Sequence, residues 1–429
     1  MKTRIFKTGL LVSALVLSST LAFAKPLVIT ADRMIDVKSG KVINAAAVII
    51  DNDMIIGAGA RQALDLPADA ETMALGDYTL MPGLMDMHVH LVGDSDHHGY
   101  ATLGTSVSRS LLYGVKHAEK TLMAGFTTVR NVGAPGFTDV ALRDAINDGD
   151  IKGPRMFVSG PALGVTGGHC DNNLLPYDAH AKSEGVADGP WEVRQRVREN
   201  IKYGADVIKF CATGGVLSKG TKVGAQQYSE EEMKALITEA HLRGLTVASH
   251  AHGTSGIKAA IRSGVDSVEH VSLLDDEAIE LAKAHGTYFS MDVYVTEYIL
   301  GEGAKAGILE ESLAKERMVG SVQRENFRKA VKAGVKMVFG TDAGVYPHGD
   351  NGKQFARMVK FGMTPMQAIQ AATINSATLL KQENSLGSLE AGRKADVVAV
   401  KGNPLDDMSL MEEVGLVIKD GHVVKQLAM

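Results

Sequence analysis

A repeated pattern of polar and apolar positions fills the middle of this chain of 429 residues. Six times, a helical stretch ends at a glycine and a short apolar strand follows it. Glycine directly after a helix is the usual left-handed cap, so each copy predicts a helix end, a tight turn and a strand. The six glycines are Gly125, Gly204, Gly244, Gly264, Gly286 and Gly334.

Two further strands complete the series. MDMHVHL (residues 85–91) precedes the first copy, and RMFVSG (residues 155–160) lies between the first and second copies. Strands that alternate with helices predict parallel βαβ units, and eight strands favour a closed barrel over an open sheet. The pattern therefore predicts an α/β fold, a TIM-type (β/α)8 barrel over residues 82–384.

Both ends of the chain lack long helical patterns. They contain short β-rich runs that are broken by Ser-Gly, Asp-Gly and Asn-Pro, and Asp420-Gly421 is a strong hairpin signal. The simplest arrangement pairs the two ends with each other. We therefore expect a small β-sandwich domain built from residues 25–81 and 385–429.

The first 24 residues predict an export signal. Their first seven residues include three basic ones, Lys2, Arg4 and Lys7. An apolar run over residues 9–17 follows, and the small-residue site Ala22-Phe23-Ala24 comes last. The apolar run is shorter than the roughly 20 residues that a membrane-spanning helix needs. We expect cleavage after Ala24, a periplasmic or secreted protein, and no stable membrane span.

Charge and composition indicate which partners and which classes of protein can be excluded. Loss of the three basic residues shifts the formal net charge from −5 to −8, and no basic run remains. Nucleic acid is therefore not an expected partner. A hydrophobic content of 45% with 22% charged residues is typical of a soluble globular enzyme and excludes disordered and fibrous classes. The sequence leaves open whether the protein forms a homo-oligomer.

The two cysteines, Cys170 and Cys211, are too few for a disulfide framework. Each lies next to a candidate site residue, so a bridge between them is one alternative. We expect two free, buried thiols instead.

The segment MDMHVHL carries two histidines in a stretch that otherwise predicts a buried strand. Residues two apart in a strand face the same side, so His88 and His90 present adjacent imidazoles. This arrangement indicates a metal ligand pair, with a chance pair at a solvated strand end as the alternative.

Barrel active sites lie at the carboxyl ends of the strands. The polar residues at those ends are His88, His90, Lys209, His250, His270 and Asp342.

Taken singly, each histidine could be an ordinary core residue, and Asp342 before Ala-Gly could form a turn. Lys209 is harder to explain in this way, because its apolar neighbours in ADVIKF make a cation costly. Loss of the proton would leave an amine that can take up carbon dioxide as a carbamate. Such an anionic group can bridge two cations, and this step is a hypothesis.

Five motifs, GLMDMHVHL, VIKFCATGG, SHAHG, SVEH and GTDAG, resemble in their order the metal-dependent amidohydrolase superfamily. GFTTVRNVG, HAHGTSGIKAAIRSGVDSVEH and GSLEAGRKADVVAV are similar to the exported carboxypeptidases, prolidases and imidazolonepropionase-like enzymes, a group that includes ochratoxin-degrading amidohydrolases. The resemblance covers nearly all of the chain after the export signal. Phosphotriesterases and lactonases share the barrel and the lysine but generally lack the split β-domain.

The resemblance implies two divalent metal ions, with Lys209 N-carboxylated between them. One ion would be held by His88, His90, Lys209 and Asp342, and the other by Lys209, His250 and His270. Imidazole and carboxylate ligands suit zinc, although nickel, cobalt or manganese could replace it. Asp342 would act as the general base and then as the general acid.

The resemblance also indicates substrate-binding residues. In similar enzymes a histidine and a tyrosine at such places hold the carbonyl or carboxylate of the substrate, which indicates His169, His252 and Tyr294. Ordinary loop polarity is the alternative for each. One departure is Asn131, where relatives often have Asp, and it concerns the surroundings of the metal site rather than a ligand.

These implications predict an enzyme that hydrolyses the amide bond of a dipeptide or N-acyl amino acid and releases the C-terminal amino acid. The substrate would be a small molecule or peptide amide, and ochratoxin A, with its amide-linked phenylalanine, belongs to that class. A cyclic-amide hydrolase similar to imidazolonepropionase is the alternative. A noncatalytic scaffold on the same fold is a further one.

Overall fold

The computed structural model describes residues 25–426. In chain order its strands are β1 (Leu27–Asp36), β2 (Lys41–Asp51), β3 (Met54–Ala60), β4 (Glu71–Ala74), β5 (Tyr78–Pro82), β6 (Leu84–Val89), β7 (Phe126–Asn131), β8 (Arg155–Val158), β9 (Val207–Cys211), β10 (Thr246–Ala251), β11 (Ser267–His270), β12 (Tyr288–Ser290), β13 (Met337–Val338), β14 (Val397–Lys401), β15 (Val414–Lys419) and β16 (His422–Gln426). The α-helices are α1 (Val107–Met123), α2 (Thr138–Asn147), α3 (Gly189–Lys202), α4 (Glu230–His241), α5 (Thr254–Arg262), α6 (Asp276–His285), α7 (Val295–Gly301), α8 (Glu310–Ala333), α9 (Lys353–Lys360), α10 (Pro365–Ala371) and α11 (Ile374–Leu379).

Strands β6 to β13 form a parallel barrel. β6, β7 and β8 pair in that order, and β9 to β13 pair in a second arc. Beyond β8, Leu163 bridges to Phe210 of β9, and Val89 of β6 bridges to Ala343 beyond β13. These two contacts join the arcs, and the TIM-type barrel prediction is confirmed.

The six predicted helix-ending glycines explain how each helix turns into the next strand. All six adopt a positive φ, between 71° and 97°, where side chains other than glycine are disfavoured. Gly286 and Gly334 are the left-handed caps of α6 and α8. At the other end of a helix, Ser229 and Glu232 form a reciprocal capping box that starts α4.

The two ends of the described chain share one sheet. Its strand order is β16-β15-β14-β5-β1-β2-β3, with β4 also paired to β1. β5 and β14 are antiparallel, with Met81 opposite Val398. A separate apolar cluster that includes Ile29, Leu80 and Leu416 packs this sheet. The predicted fold class, a barrel with a small β-domain built from both chain ends, is confirmed.

The predicted domain boundaries stay predictions. The predicted export signal, residues 1–24, lies outside the described residues. Within residues 25–426, every helix is too short or too polar to cross a lipid bilayer.

Cys170 and Cys211 form a disulfide, so the prediction of two free thiols was wrong. The segment after β8 crosses to β9, where Leu163 donates its N–H to Lys209 O and accepts one from Cys211 N. This pairing brings the loop with Cys170 over the end of β9, and the two Cα atoms lie 6.0 Å apart. That separation lies within the range that disulfides span.

Candidate metal-binding active site

A cavity of about 340 Å³ opens at the carboxyl ends of the barrel strands. Polar side chains at the strand ends line this cavity. All six strand-end residues predicted as ligands line it, namely His88, His90, Lys209, His250, His270 and Asp342. The structure therefore brings the whole predicted set together on one rim.

The first group of donor atoms joins β6 to the segment after β13. Asp342 Oδ1 lies 3.4 Å from Nε2 of His88 and 3.4 Å from Nε2 of His90. Burial alone would raise the pKa of Asp342, but the three imidazoles of His88, His90 and His270 outweigh it and hold that pKa below its usual range. Asp342 is therefore an anion that faces two imidazole nitrogens.

The second group lies on β10 and β11 and in the turn after β10. Donor atoms of His250, His252 and His270 lie within 4.8 Å of one another. The rings of His88 and His270 are 5.0 Å apart, so the two groups adjoin. Burial lowers the pKa of His250 and of His252 well below the usual value, which leaves lone pairs free for ligation.

Lys209 lies deep in the cavity, with 3% of its surface exposed. Burial lowers the pKa of its amine to about 8. Burial also lowers the pKa of His88, to about 4, and that of His250, and in both cases the charge of Lys209 adds to the shift. The amine thus acts electrostatically on both groups of donors.

Buried partners fix the orientation of His88. Its Nδ1 lies 3.1 Å from Glu269 Oε2, and Arg130 donates to Glu269 Oε1 over 2.7 Å. Burial would raise the pKa of Glu269, but Arg130 and His88 hold it well below its usual value. A carboxylate on Nδ1 selects the tautomer whose Nε2 is free for a metal.

His270 is held in the same way. Its Nδ1 lies 2.9 Å from Asp292 Oδ2, and Gln323 donates to Asp292 Oδ1 over 2.9 Å. Burial would lower the pKa of His270, but Asp292 raises it above its usual value. Sequence reasoning missed these positioning residues, which are Arg130, Glu269, Asp292 and Gln323. A charged residue inside an apolar strand, as in TTVRNV and DSVEHV, was the available signal for Arg130 and Glu269.

Two of the ligand candidates occupy strained backbone. His270 has φ 71° and Asp342 has φ 59°, both in the left-handed region. Such conformations in residues other than glycine cost about 1–3 kcal/mol and concentrate at functional sites. The turn at each strand end aims the side chain into the cavity.

His169, predicted to bind substrate, lies over the second group. Its ring stacks on that of His250 with 4.0 Å between centroids, and its Nδ1 lies 2.8 Å from Ser218 Oγ. Gly215 makes room for it, because a Cβ there would lie 2.3 Å from the imidazole. Burial lowers the pKa of His169 to about 3, so the ring is neutral.

His252 and Tyr294, the other two predicted substrate contacts, are placed differently. His252 lines the cavity and stacks on His270 at 4.7 Å, where it offers a further imidazole beside the predicted ligands. Tyr294 does not line the cavity in the described chain. It immediately precedes α7, and its ring packs on Tyr346 and under Arg357, both at 5.0 Å.

Asn131 has a local explanation. Its Oδ1 accepts the N–H of Leu91 over 2.8 Å, and its Nδ2 donates to Asp139 Oδ2 over 3.2 Å. Burial raises the pKa of Asp139 to about 6. An aspartate at position 131 would place a second carboxyl group beside that of Asp139. The amide of Asn131 instead donates a hydrogen bond to Asp139.

The donor set fits a divalent metal. Nε2 of His88 and Nε2 of His250 are buried and have no hydrogen-bond partner among the described residues. Buried polar atoms without partners are rare in folded proteins, and each needs an explanation such as an ion. Imidazole nitrogens together with a carboxylate are the ligands that zinc prefers.

Comparisons with known proteins agree with this geometry. The chain is 37% identical over 399 residues to ochratoxinase from Aspergillus niger, covering 87% of this chain and 81% of that protein. It matches the crystal structure of a Xaa-Pro dipeptidase with bound methionine in the active site, with TM-score 0.88, 40% identity and coverage of 94% of this chain and 100% of that chain. Imidazolonepropionase from Micrococcus luteus is 24% identical over 383 residues, which cover 83% of this chain and 88% of that enzyme.

The match to the family itself extends over both the barrel and the shared sheet. Residues 79–424 match the amidohydrolase family, which is more than half of the chain. The resemblance inferred from the sequence motifs is thus confirmed. This chain belongs to the amidohydrolase family and is a hydrolase that acts on amide bonds.

Proposed function

We propose that this enzyme uses two divalent metal ions to hydrolyse the amide bond between an acyl group and a C-terminal amino acid. The observation that carries the proposal is the pair of adjoining donor groups at the strand ends. His88, His90 and Asp342 form one, and His250 and His270, beside His252, form the other. Lys209 lies with them in the same cavity, and a carbamate on its amine would supply a shared anionic ligand.

Bound metal ions would lower the pKa of a water molecule and polarise the scissile carbonyl. The protein's part is to hold the reacting groups and to move the proton. Asp342 takes the proton from the attacking water and delivers it to the nitrogen of the leaving amino acid. His169, neutral and hydrogen-bonded to Ser218, lines the same cavity and would donate a hydrogen bond to the substrate.

The relatives support an amino acid as the leaving group. One relative, at 40% identity, is named as a Xaa-Pro dipeptidase, and another, at 37% identity, is named as an ochratoxinase. Ochratoxin A, which has an amide-linked phenylalanine, is therefore one substrate to test. Because the chain is also 24% identical to imidazolonepropionase, hydrolysis of a cyclic amide is the second candidate function.

The test compares kcat/KM of the zinc-loaded enzyme for N-acetylphenylalanine, its methyl ester and its carboxamide. Only cleavage of the N-acetyl bond is scored, and 4-imidazolone-5-propionate serves as the cyclic amide. We expect the two neutral forms to fall by at least about tenfold, or roughly 1.4 kcal/mol, because a site built for a free carboxylate is left unpaired without it. Equal rates for all three would reject release of a C-terminal amino acid, and a preference for the cyclic amide would favour the second candidate.

We further propose that the protein is exported with removal of residues 1–24. The basic start, the apolar run and the Ala-Phe-Ala site support this, and the Cys170–Cys211 disulfide is typical of an oxidising compartment. Cell fractionation followed by N-terminal sequencing should find a mature form that begins at Lys25. A cytoplasmic protein that retains Met1 would contradict this part of the proposal.

A further inference from the structure

Glu316 is a buried carboxyl group that the proposed chemistry does not use. It lies on α8, has 4% of its surface exposed and lines the cavity together with Val319 and Gln323 of the same helix. Gly320 makes room for it, because a Cβ there would lie 2.7 Å from Glu316 Oε1. The absence of a side chain at position 320 therefore leaves room for this carboxyl group at the cavity wall.

No ion pair satisfies Glu316 within residues 25–426. Arg324, a nearby cation, instead directs its guanidinium at the carbonyl of Val293, at 3.4 Å, and at Glu297, at 3.8 Å. Burial raises the pKa of Glu316 to about 7, and the nearby carboxylate of Asp292 adds to this rise. A buried carboxylate without a cation is costly, so a cationic ligand in the cavity would stabilise the ionised form of Glu316.

Apolar side chains line the cavity beside Glu316. Val295 and Ile299 of α7 line the cavity on the same side, and Val319 packs with Val216 of the loop after β9. A wall of this kind accommodates a hydrocarbon stem and offers one anionic group. It is complementary to an ammonium or guanidinium group carried on aliphatic carbon.

We propose that Glu316 binds a cationic group of the substrate and thereby determines specificity. This inference rests on the proposed function, because it assumes an amide substrate in this cavity. The cation has two possible sources: the side chain of a basic amino acid that is released, or the α-ammonium group of a dipeptide. In either case the bound cation forms charge-assisted hydrogen bonds with Glu316 in a region shielded from water.

Three substrates that share a hydrocarbon frame distinguish the sources. N-acetylnorleucine carries no cation, Nα-acetyllysine adds one on the side chain, and glycylnorleucine adds one at the N-terminus. Each is assayed with the zinc-loaded wild type, with Glu316→Gln and with Glu325→Gln. Glu325 is a matched control because it lies on the same helix, loses the same formal charge and pairs with Arg328 at the surface.

We expect Glu316→Gln to lower kcat/KM for one cationic substrate by at least about tenfold relative to N-acetylnorleucine, because a desolvated charge pair is lost. The substrate that is affected identifies the source of the cation. Glu325→Gln should leave all three values unchanged. An equal change for all three substrates in Glu316→Gln would overturn the inference.

A second variant distinguishes loss of cation binding from loss of folding, and a binding measurement tests the inference without relying on the proposed function. Glu316→Met has a similar volume, suits the apolar surroundings and should cause the same loss if the Gln variant does not fold. If the wild type cleaves neither these substrates nor N-acetylphenylalanine, the proposed function fails. The inference is then tested by calorimetry with N-acetylnorleucine, Nα-acetyllysine and glycylnorleucine as uncleaved ligands. Tighter binding of Nα-acetyllysine or glycylnorleucine than of N-acetylnorleucine that disappears in Glu316→Gln supports the inference, and equal binding of all three ligands rejects it.

Discussion

Two walls of the same cavity differ in how their charged groups are satisfied. At the strand ends, His88 and His270 each face a carboxylate that has its own partner, Arg130 for Glu269 and Gln323 for Asp292. On the helical wall, Glu316 has no ion-pair partner within residues 25–426. A metal site needs its ligands fixed before binding. A group that selects a substrate instead gains its partner when the substrate arrives.

The largest effect is expected at the strand-end wall, at Lys209. Lys209→Ala should reduce both metal content and turnover to background, because the shared ligand is removed. Added short carboxylic acids should partly restore both by taking its place. Metal analysis and a rate assay on the same preparation provide the check. Two full equivalents of metal in the untreated variant would rule out a bridging role.

Asp342→Asn separates proton transfer from ligation. Turnover should fall by roughly 10² to 10⁴, because the amide cannot accept the proton, and a weakened ligand adds to that loss. His270→Ala should instead act mainly on metal content. Steady-state kinetics at saturating zinc measure the difference. If the Asn variant retains most of its kcat, another residue is the base.

Glu269→Gln tests whether the buried partners of the ligands matter for metal affinity. The affinity should fall by about 10- to 100-fold, because His88 loses the carboxylate that orients it. The free energy of unfolding should also fall by about 3–5 kcal/mol, because Arg130 is left buried without its partner. Competition with a chelator and chemical denaturation measure the two effects. Glu280→Gln, at the surface of α6, is the control, and equal metal affinity of both variants would contradict the expectation.

The smallest effect is expected at Tyr294. Tyr294→Phe should change kcat/KM by less than about twofold, since the ring lies outside the cavity against Tyr346. His169→Ala should raise KM much more, since its imidazole lines the cavity. Kinetics of both variants with one substrate make the comparison. A larger loss for Tyr294→Phe would place its hydroxyl at the substrate after all.

The sequence predicted the barrel and the strand-end residues because both depend on local signals. A glycine cap marks each helix end, and His88 and His90 show their shared face by their spacing alone. Glu269 could not be assigned to His88 in this way, because that contact depends on how distant strands close the barrel. The Cys170–Cys211 disulfide was not predicted for a similar reason, because its formation depends on the path of the loop that carries Cys170. Tyr294 was expected on the seventh barrel strand, but β12 ends at Ser290, before the tyrosine, and its role in substrate binding stays a prediction.

The antiparallel pairing of β5 with β14 has a consequence for the order of synthesis. Met81 emerges from the ribosome long before Val398, its partner, and the whole barrel is made in between. Until β14 arrives, β5 has an unpaired edge, and open edges of this kind favour aggregation. Loss of the last three strands should therefore give aggregates rather than a smaller soluble enzyme. The nascent chain thus carries an open edge on β5 until its last strands are translated.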